Sequence, residues 1–127
     1  DTTNEINLIS LMIKLKNPTD INNPNNVKVV VNNSSDAILF SRSSIPFSRS
    51  DLKPNFYKHI GVYAFRNTFL REFAKYDQTP LEKTEMIEAL RVIENGKKIR
   101  MIEVFKEHVS IDTLEDLKIA ESILNEK

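Results

Sequence analysis

The order in which two apolar periodicities follow one another restricts the fold of this chain more than any single residue does. Strand-like runs occupy 7–16, 27–31, 37–40 and 57–65; helical spacing then takes over in 67–76 and 80–93, a strand returns over 98–105, and a last helical pattern opens at Thr113. Strands with short turns followed by interleaved helices and a further strand suit an α/β sheet with helices on its faces, not a bundle or a sandwich. A length of 127 residues with 40% hydrophobic content supports one core, so one domain or part of one is expected.

Local signals fill in this outline. In the first strand Ile9, Leu11, Ile13 and Leu15 share a face, as in a strand buried chiefly on one side. Residues 17–26 hold two prolines and five asparagines, which is turn chemistry and suits a linker over the surface. Val27–Val31 and Ala37–Phe40 flank the polar turn 32–36 as a hairpin candidate. From Ser41 to Asn55, Pro46 and Pro54 interrupt any period, so an extended excursion able to carry a partner contact is predicted. Tyr57–Phe65 sets Ile60, Val62 and Ala64 against His59, Gly61, Tyr63 and Phe65, the pattern of a central strand covered on both faces.

Asn67 is a candidate cap for a helix reaching Tyr76, with Phe69, Leu70 and Phe73 as its apolar stripe. Thr79-Pro-Leu-Glu82 is a stronger start: threonine cap, proline at the first helical position, and a glutamate that can return to the cap amide. Met86, Ala89, Leu90 and Ile93 continue that helix until Asn95-Gly96 stops it.

Charge and composition remove several function classes. Eighteen Lys and Arg balance eighteen Asp and Glu, so no global field gathers nucleic acid or an anionic membrane. The absence of cysteine excludes disulfides and thiolate metal sites and fits a reducing compartment. No apolar run reaches spanning length and Asp1-Thr-Thr-Asn4 has no signal-peptide pattern, so a soluble, cytoplasmic protein is expected. A first residue other than methionine suggests a start inside a longer gene product or after processing.

Four constellations carry candidate chemistry. His59 and Tyr63 share a strand face, with Gly61 between them leaving room for a ligand; read alone, two rings packed under a helix with their polar atoms bonded are the simpler account. Glu82, Glu85 and Glu88 recur every three residues and drift around their helix, so each needs its own account: capping for Glu82, a solvated helix-favouring position for Glu85. Asp112 stands just before a helix start that Thr113 and Asp116 already satisfy, at the C-terminal end of a strand, where open α/β sheets bind ligands. Arg42, in Phe40-Ser-Arg42, has a fork that suits a carboxylate or a phosphate, although an exposed loop arginine is the simpler reading. Arg49, Arg66 and Arg91 read as solvated or structural.

The order His59-Ile-Gly-Val-Tyr63, Pro80-Leu-Glu-x-x-Glu-x-x-Glu88-Ala-Leu-Arg91 and Ser110-Ile-Asp112-Thr113, with Asn23-Pro-Asn and Val27-Lys-Val-Val upstream, resembles the C-terminal half of bacterial 3-deoxy-manno-octulosonate cytidylyltransferases, the CMP-Kdo synthetases. The resemblance runs from about Asn23 to Leu117. It implies that residues 1–127 form the sugar-binding and dimerisation half of one cytidylyltransferase domain. The fold would be a mixed-sheet nucleotidyltransferase sheet with helices on its faces, and the N-terminal nucleotide-binding half would be absent.

By this resemblance His59, Tyr63, Glu88 and Arg42 hold the sugar acid and Asp112 is a ligand of Mg²⁺. The resemblance also implies that Ile45-Pro-Phe47 contributes to a homodimer interface. The complete enzyme would transfer CMP from CTP to Kdo, releasing pyrophosphate, for lipopolysaccharide synthesis. No protein nucleophile is implied, since positioning and electrostatics carry such a transfer. With Gly61 and Gly96 as its only glycines, the chain has no phosphate-cradling loop, so alone it should not bind CTP productively. Ala89 stands where the family usually has glutamine, which removes a donor and an acceptor from the site. Two alternatives therefore stay open: a half-domain acting only in binding or dimerisation, and an enzyme for another keto-acid sugar.

Overall fold

The computed structural model describes residues 6–105; the expected helix from Thr113 and the candidate ligand Asp112 lie outside them. Within that span β1 (Leu8–Leu15), α1 (Pro18–Ile21), β2 (Lys28–Val31), β3 (Ala37–Ser41), β4 (Phe56–Phe65), α2 (Asn67–Phe73), α3 (Pro80–Glu85), α4 (Leu90–Glu94) and β5 (Arg100–Val104) follow in order. The strands form one mixed sheet ordered β3-β2-β4-β1-β5. β1 runs antiparallel to β4 and parallel to β5, and the β2–β3 hairpin expected from the sequence joins the sheet through β4.

Side chains sort by strand parity. Leu8, Ser10 and Met12 of β1 lie with Tyr63 and Phe65 of β4 and Met101 of β5 under Phe69, Ile87, Leu90 and Val92 of the helical segment. Ile9, Leu11, Ile60, Ala64 and Val104 line the opposite face. β1 is thus buried on both faces, with Leu8 and Ser10 fully covered alongside Leu11, and not chiefly on one as its alternation suggests. Its position between two paired strands, with helices over the even-numbered side chains, explains the difference.

Three expectations are revised. The linker 17–26 contains α1, opened by Asn17, whose Oδ1 accepts from the Thr19 amide at 3.3 Å. The long helix 80–93 is broken: α3 ends at Glu85, Met86 adopts a left-handed backbone (φ 58°), and α4 restarts at Leu90. Met86 leaves the predicted stripe and is exposed, while Ile87, Ala89, Leu90 and Val92 are buried. A β-region Arg66, with its guanidinium on the Ile6 carbonyl, replaces Asn67 as the cap of α2, and Leu70 is only half-buried. The stop at Asn95-Gly96 holds, with Gly96 at φ +75°. No helix among the described residues is long and apolar enough to cross a membrane.

Candidate functional site

The ladder between β1 and β4 contains an irregularity that shapes the site. Ser10 pairs with Tyr63 and Leu11 with Ile60, so one step on β1 is matched by three on β4, leaving Gly61 and Val62 as a bulge. Two extra residues preserve parity, so His59 and Tyr63 remain on one face, as their spacing suggests, with ring centroids 5.6 Å apart. Phe40 closes the far side of the imidazole at 4.7 Å. The fully buried Ser10 hydroxyl lies beneath, 2.8 Å from His59 Nε2, 2.8 Å from the Val62 carbonyl and 3.2 Å from that of Ile60.

Burial lowers the pKa of His59 from 6.5 to about 4. At neutral pH it is therefore an uncharged hydrogen-bonding ring, not a cation. Burial, reinforced by the charge of Glu88, raises the Tyr63 phenol to about 12, so it remains protonated.

Glu88 reaches this region because the helix breaks. The left-handed turn at Met86 takes it off a continuous helix and sets it in the junction before α4, with a largely exposed carboxylate 3.8 Å from Arg91. It borders two concavities. One is an apolar-walled cavity of about 130 Å³ shared with Leu8, Tyr63, Phe65, Leu70, Phe73, Ala89 and Val92. The other is an open basin of about 490 Å³ shared with Gln78, Glu82, Lys83, Met86 and Arg91. Ala89 sits in the wall of the smaller one.

The other carboxylates are committed to structure. Glu82 accepts the Thr79 amide at 3.1 Å, as the capping pattern predicts, and also binds Arg91 through two bonds of 2.9 and 2.5 Å. Hydrogen bonding from Arg91 is the main cause that lowers its pKa. Arg91 lies over the Phe73 ring as well, at 5.1 Å, so its structural reading holds.

Glu85 is not the solvated residue expected. Its carboxylate accepts from the Ser41 hydroxyl (2.9 and 3.0 Å) and the Arg42 amide (2.7 Å), latching the end of β3 to α3. Arg42 itself donates to the carbonyls of Glu85 (2.7 Å), Pro24 (3.0 Å) and Met86 (3.1 Å). Those contacts use three of its five N–H groups and tie it to the turn that presents Glu88.

Tyr63 thus adjoins His59 on one side and Glu88 on the other, while His59 lines neither concavity that Glu88 borders; Arg42 buttresses the Met86 turn, and Asp112 lies outside the described residues. Among the described residues no group of three or more His, Asp or Glu is arranged to hold a metal. Sequence reasoning missed Ser10, a small polar residue in an apolar run, and Lys28, whose fully buried ammonium donates to the carbonyls of Asn23 (2.9 Å) and Asn26 (2.6 Å). A lysine inside an apolar strand was the available signal for the second.

Comparison with known proteins gives the family and the fold. A family profile described as cytidylyltransferase matches residues 2–99. A 3-deoxy-manno-octulosonate cytidylyltransferase from Flavobacterium johnsoniae is 45% identical over 99% of the chain and 52% of its own length. An 8-amino-3,8-dideoxy-manno-octulosonate cytidylyltransferase from Shewanella pealeana is 39% identical over 94% of the chain and 49% of its own length. A solved structure of CMP:2-keto-3-deoxy-manno-octonic acid synthetase, complexed with CTP, superposes with a TM-score of 0.77 at 32% identity, covering 94% of the chain and 49% of its own. The chain spans about half the length of the curated relatives it matches.

Proposed function

Because this chain belongs to the cytidylyltransferase family, we propose that it is the sugar-acid-binding half, C-terminal by its motif order, of an enzyme that transfers CMP from CTP to 3-deoxy-manno-octulosonate. The reaction releases pyrophosphate and supplies activated sugar for lipopolysaccharide in the cytoplasm. The observation that carries this reading is a protonated phenol on the central strand β4, flanked by an uncharged imidazole on the same helix-covered face and by an exposed carboxylate across the cavity it lines. Together they offer a donor and two kinds of acceptor, the set that reads hydroxyl groups.

The roles follow from bonding capacity. Tyr63 donates, Glu88 accepts from hydroxyls, and the neutral His59 orients a hydroxyl without competing for the carboxylate. Arg42 has two N–H groups left for an anion after its three carbonyl bonds. Asp112 offers the hard oxygen that Mg²⁺ prefers, and this ion commonly takes one or two carboxylates with substrate phosphates completing its shell. When bound, the ion neutralises phosphate charge and orients the attacking hydroxyl. The nucleotide contacts belong to the other half of the enzyme.

A homodimer is part of the proposal. The excursion after β3 exposes Phe47 (85%) and Leu52 (79%), apolar side chains suited to burial against a second copy. The deciding experiment is to supply the complete gene product with CTP, Mg²⁺ and a panel of keto-acid sugars and to follow pyrophosphate release. Release with Kdo supports the assignment; release only with the 8-amino analogue or another acid moves the specificity. That second reading is favoured by Ala89, whose small side chain leaves the wall of the cavity beside Tyr63 and Glu88 without an amide.

A further inference from the structure

The side chain of Ser10 reaches both the β4 bulge and the imidazole. It is fully buried in the middle of β1, and its hydroxyl has three neighbours: the carbonyl oxygens of Val62 (2.8 Å) and Ile60 (3.2 Å), and His59 Nε2 (2.8 Å). A serine hydroxyl carries one hydrogen, and carbonyl oxygens only accept. That hydrogen is therefore committed to the bulge, chiefly to Val62. What the hydroxyl presents to the imidazole is a lone pair, so Nε2 must bring the proton. His59 is neutral at pH 7 and has one ring proton to place, which leaves Nδ1 bare.

We infer that Ser10 is a positioning residue that locks His59 in the Nε2–H tautomer, so that the ring offers Nδ1 as a hydrogen-bond acceptor to a sugar-acid hydroxyl. The identity of that ligand rests on the function proposed above; the tautomer lock does not. The bulge is part of the device. It releases the Ile60 and Val62 carbonyls toward Ser10, where a regular ladder would point them at β1 amides. Without it the serine hydrogen would be free to turn to the imidazole and reverse the tautomer.

The test is the ring ¹⁵N spectrum of the complete gene product labelled at histidine. The His59 signals are assigned as those missing from the spectrum of His59→Gln protein. Unaltered protein at pH 7 should show Nε2 protonated and Nδ1 unprotonated; a protonated Nδ1 there overturns the inference without any variant at position 10. Ser10→Ala should erase the preference and shift both nitrogens toward tautomer-averaged values, and Ser10→Thr, which keeps the hydroxyl, should restore it. A folded Ser10→Ala protein with the original tautomer also overturns it.

In the enzymatic assay Ser10→Ala should raise KM for the sugar acid about tenfold, the scale of one well-made hydrogen bond, with KM for CTP unchanged. An unaltered protein inactive toward every keto-acid sugar would remove the proposed function while the spectrum still decides the role of Ser10.

Discussion

The α3 end of the molecule and the β4 face hold similar side chains in opposite states of commitment. Around α3, Glu82, Glu85 and Arg91 spend their bonding capacity on each other, on Ser41 and on backbone groups, and Arg42 spends three of its five N–H groups on carbonyls. Along β4 and the Met86–Leu90 junction, Tyr63 keeps its proton and Glu88 keeps an exposed carboxylate. Charge at helical spacing therefore says little about binding. What separates a clamp from a site is whether donors and acceptors remain after the fold has been satisfied.

The largest effect that would break this distinction concerns Glu82. Its carboxylate is almost fully covered and Arg91 is 15% exposed, so Glu82→Ala strands a mostly buried guanidinium and removes the amide cap of α3. A loss of about 3 kcal/mol is expected in chemical denaturation. A change below about 1 kcal/mol would mean the pair is as weak as a surface bridge.

Glu85→Gln should come next. The amide keeps the shape but trades a charged acceptor for a neutral one at Ser41 and the Arg42 amide, a loss of about 1–2 kcal/mol. Because the same latch holds the turn before Glu88, sugar-acid affinity should fall with stability. An unchanged KM in a destabilised variant would separate the clamp from the site.

Acid distinguishes the regions by sign and window. The folded pKa of His59 is about 4 against 6.5 ordinarily, so the unfolded chain binds the extra proton between those values. Stability contributed by keeping the ring neutral is present above pH 6.5 and is lost progressively as pH falls toward 4, about 3 kcal/mol in all. Glu82 loses its contribution lower, as pH falls from its unfolded value through its lowered folded one. Subtracting the melting curve of His59→Gln across pH 4–7 isolates the histidine. An identical pH dependence in both proteins would show that the ring titrates normally.

These contrasts also explain what was legible. Alternation exposed the strands, and parity placed His59 beside Tyr63, because side-chain direction in a strand is a local property. The bulge preserved that pairing only because it inserts two residues; one would have sent Tyr63 to the other face. The break at Met86 was illegible, since neither glycine nor proline marks it. It is sustained by tertiary bonds from Arg42 to the Glu85 and Met86 carbonyls and by burial of Ile87 and Ala89 beyond it. Glu85 was misread for the same reason: its partners lie more than forty residues away and share no periodicity with it. Proline, threonine and glutamate at 79–82 were readable because capping is completed within one turn.

Glu88 gives the smallest expected change in stability and the sharpest division between the two regions. Its carboxylate is 62% exposed and its ion pair with Arg91 is 3.8 Å long and secondary to the Glu82 pair. Glu88→Gln should therefore leave the folding free energy within about 0.5 kcal/mol of the original. It also removes the charge that helps hold the Tyr63 phenol near 12, so that pKa should fall, which ultraviolet titration of the tyrosines can follow. In the complete enzyme the same change converts an acceptor of two hydroxyl hydrogens into a mixed donor and acceptor, and KM for the sugar acid should rise by about tenfold or more. Unchanged stability with weakened sugar-acid binding places Glu88 with β4 despite its origin on the α3 side; unchanged binding would return it to the solvated glutamates and leave sugar-acid recognition to the β4 residues His59 and Tyr63.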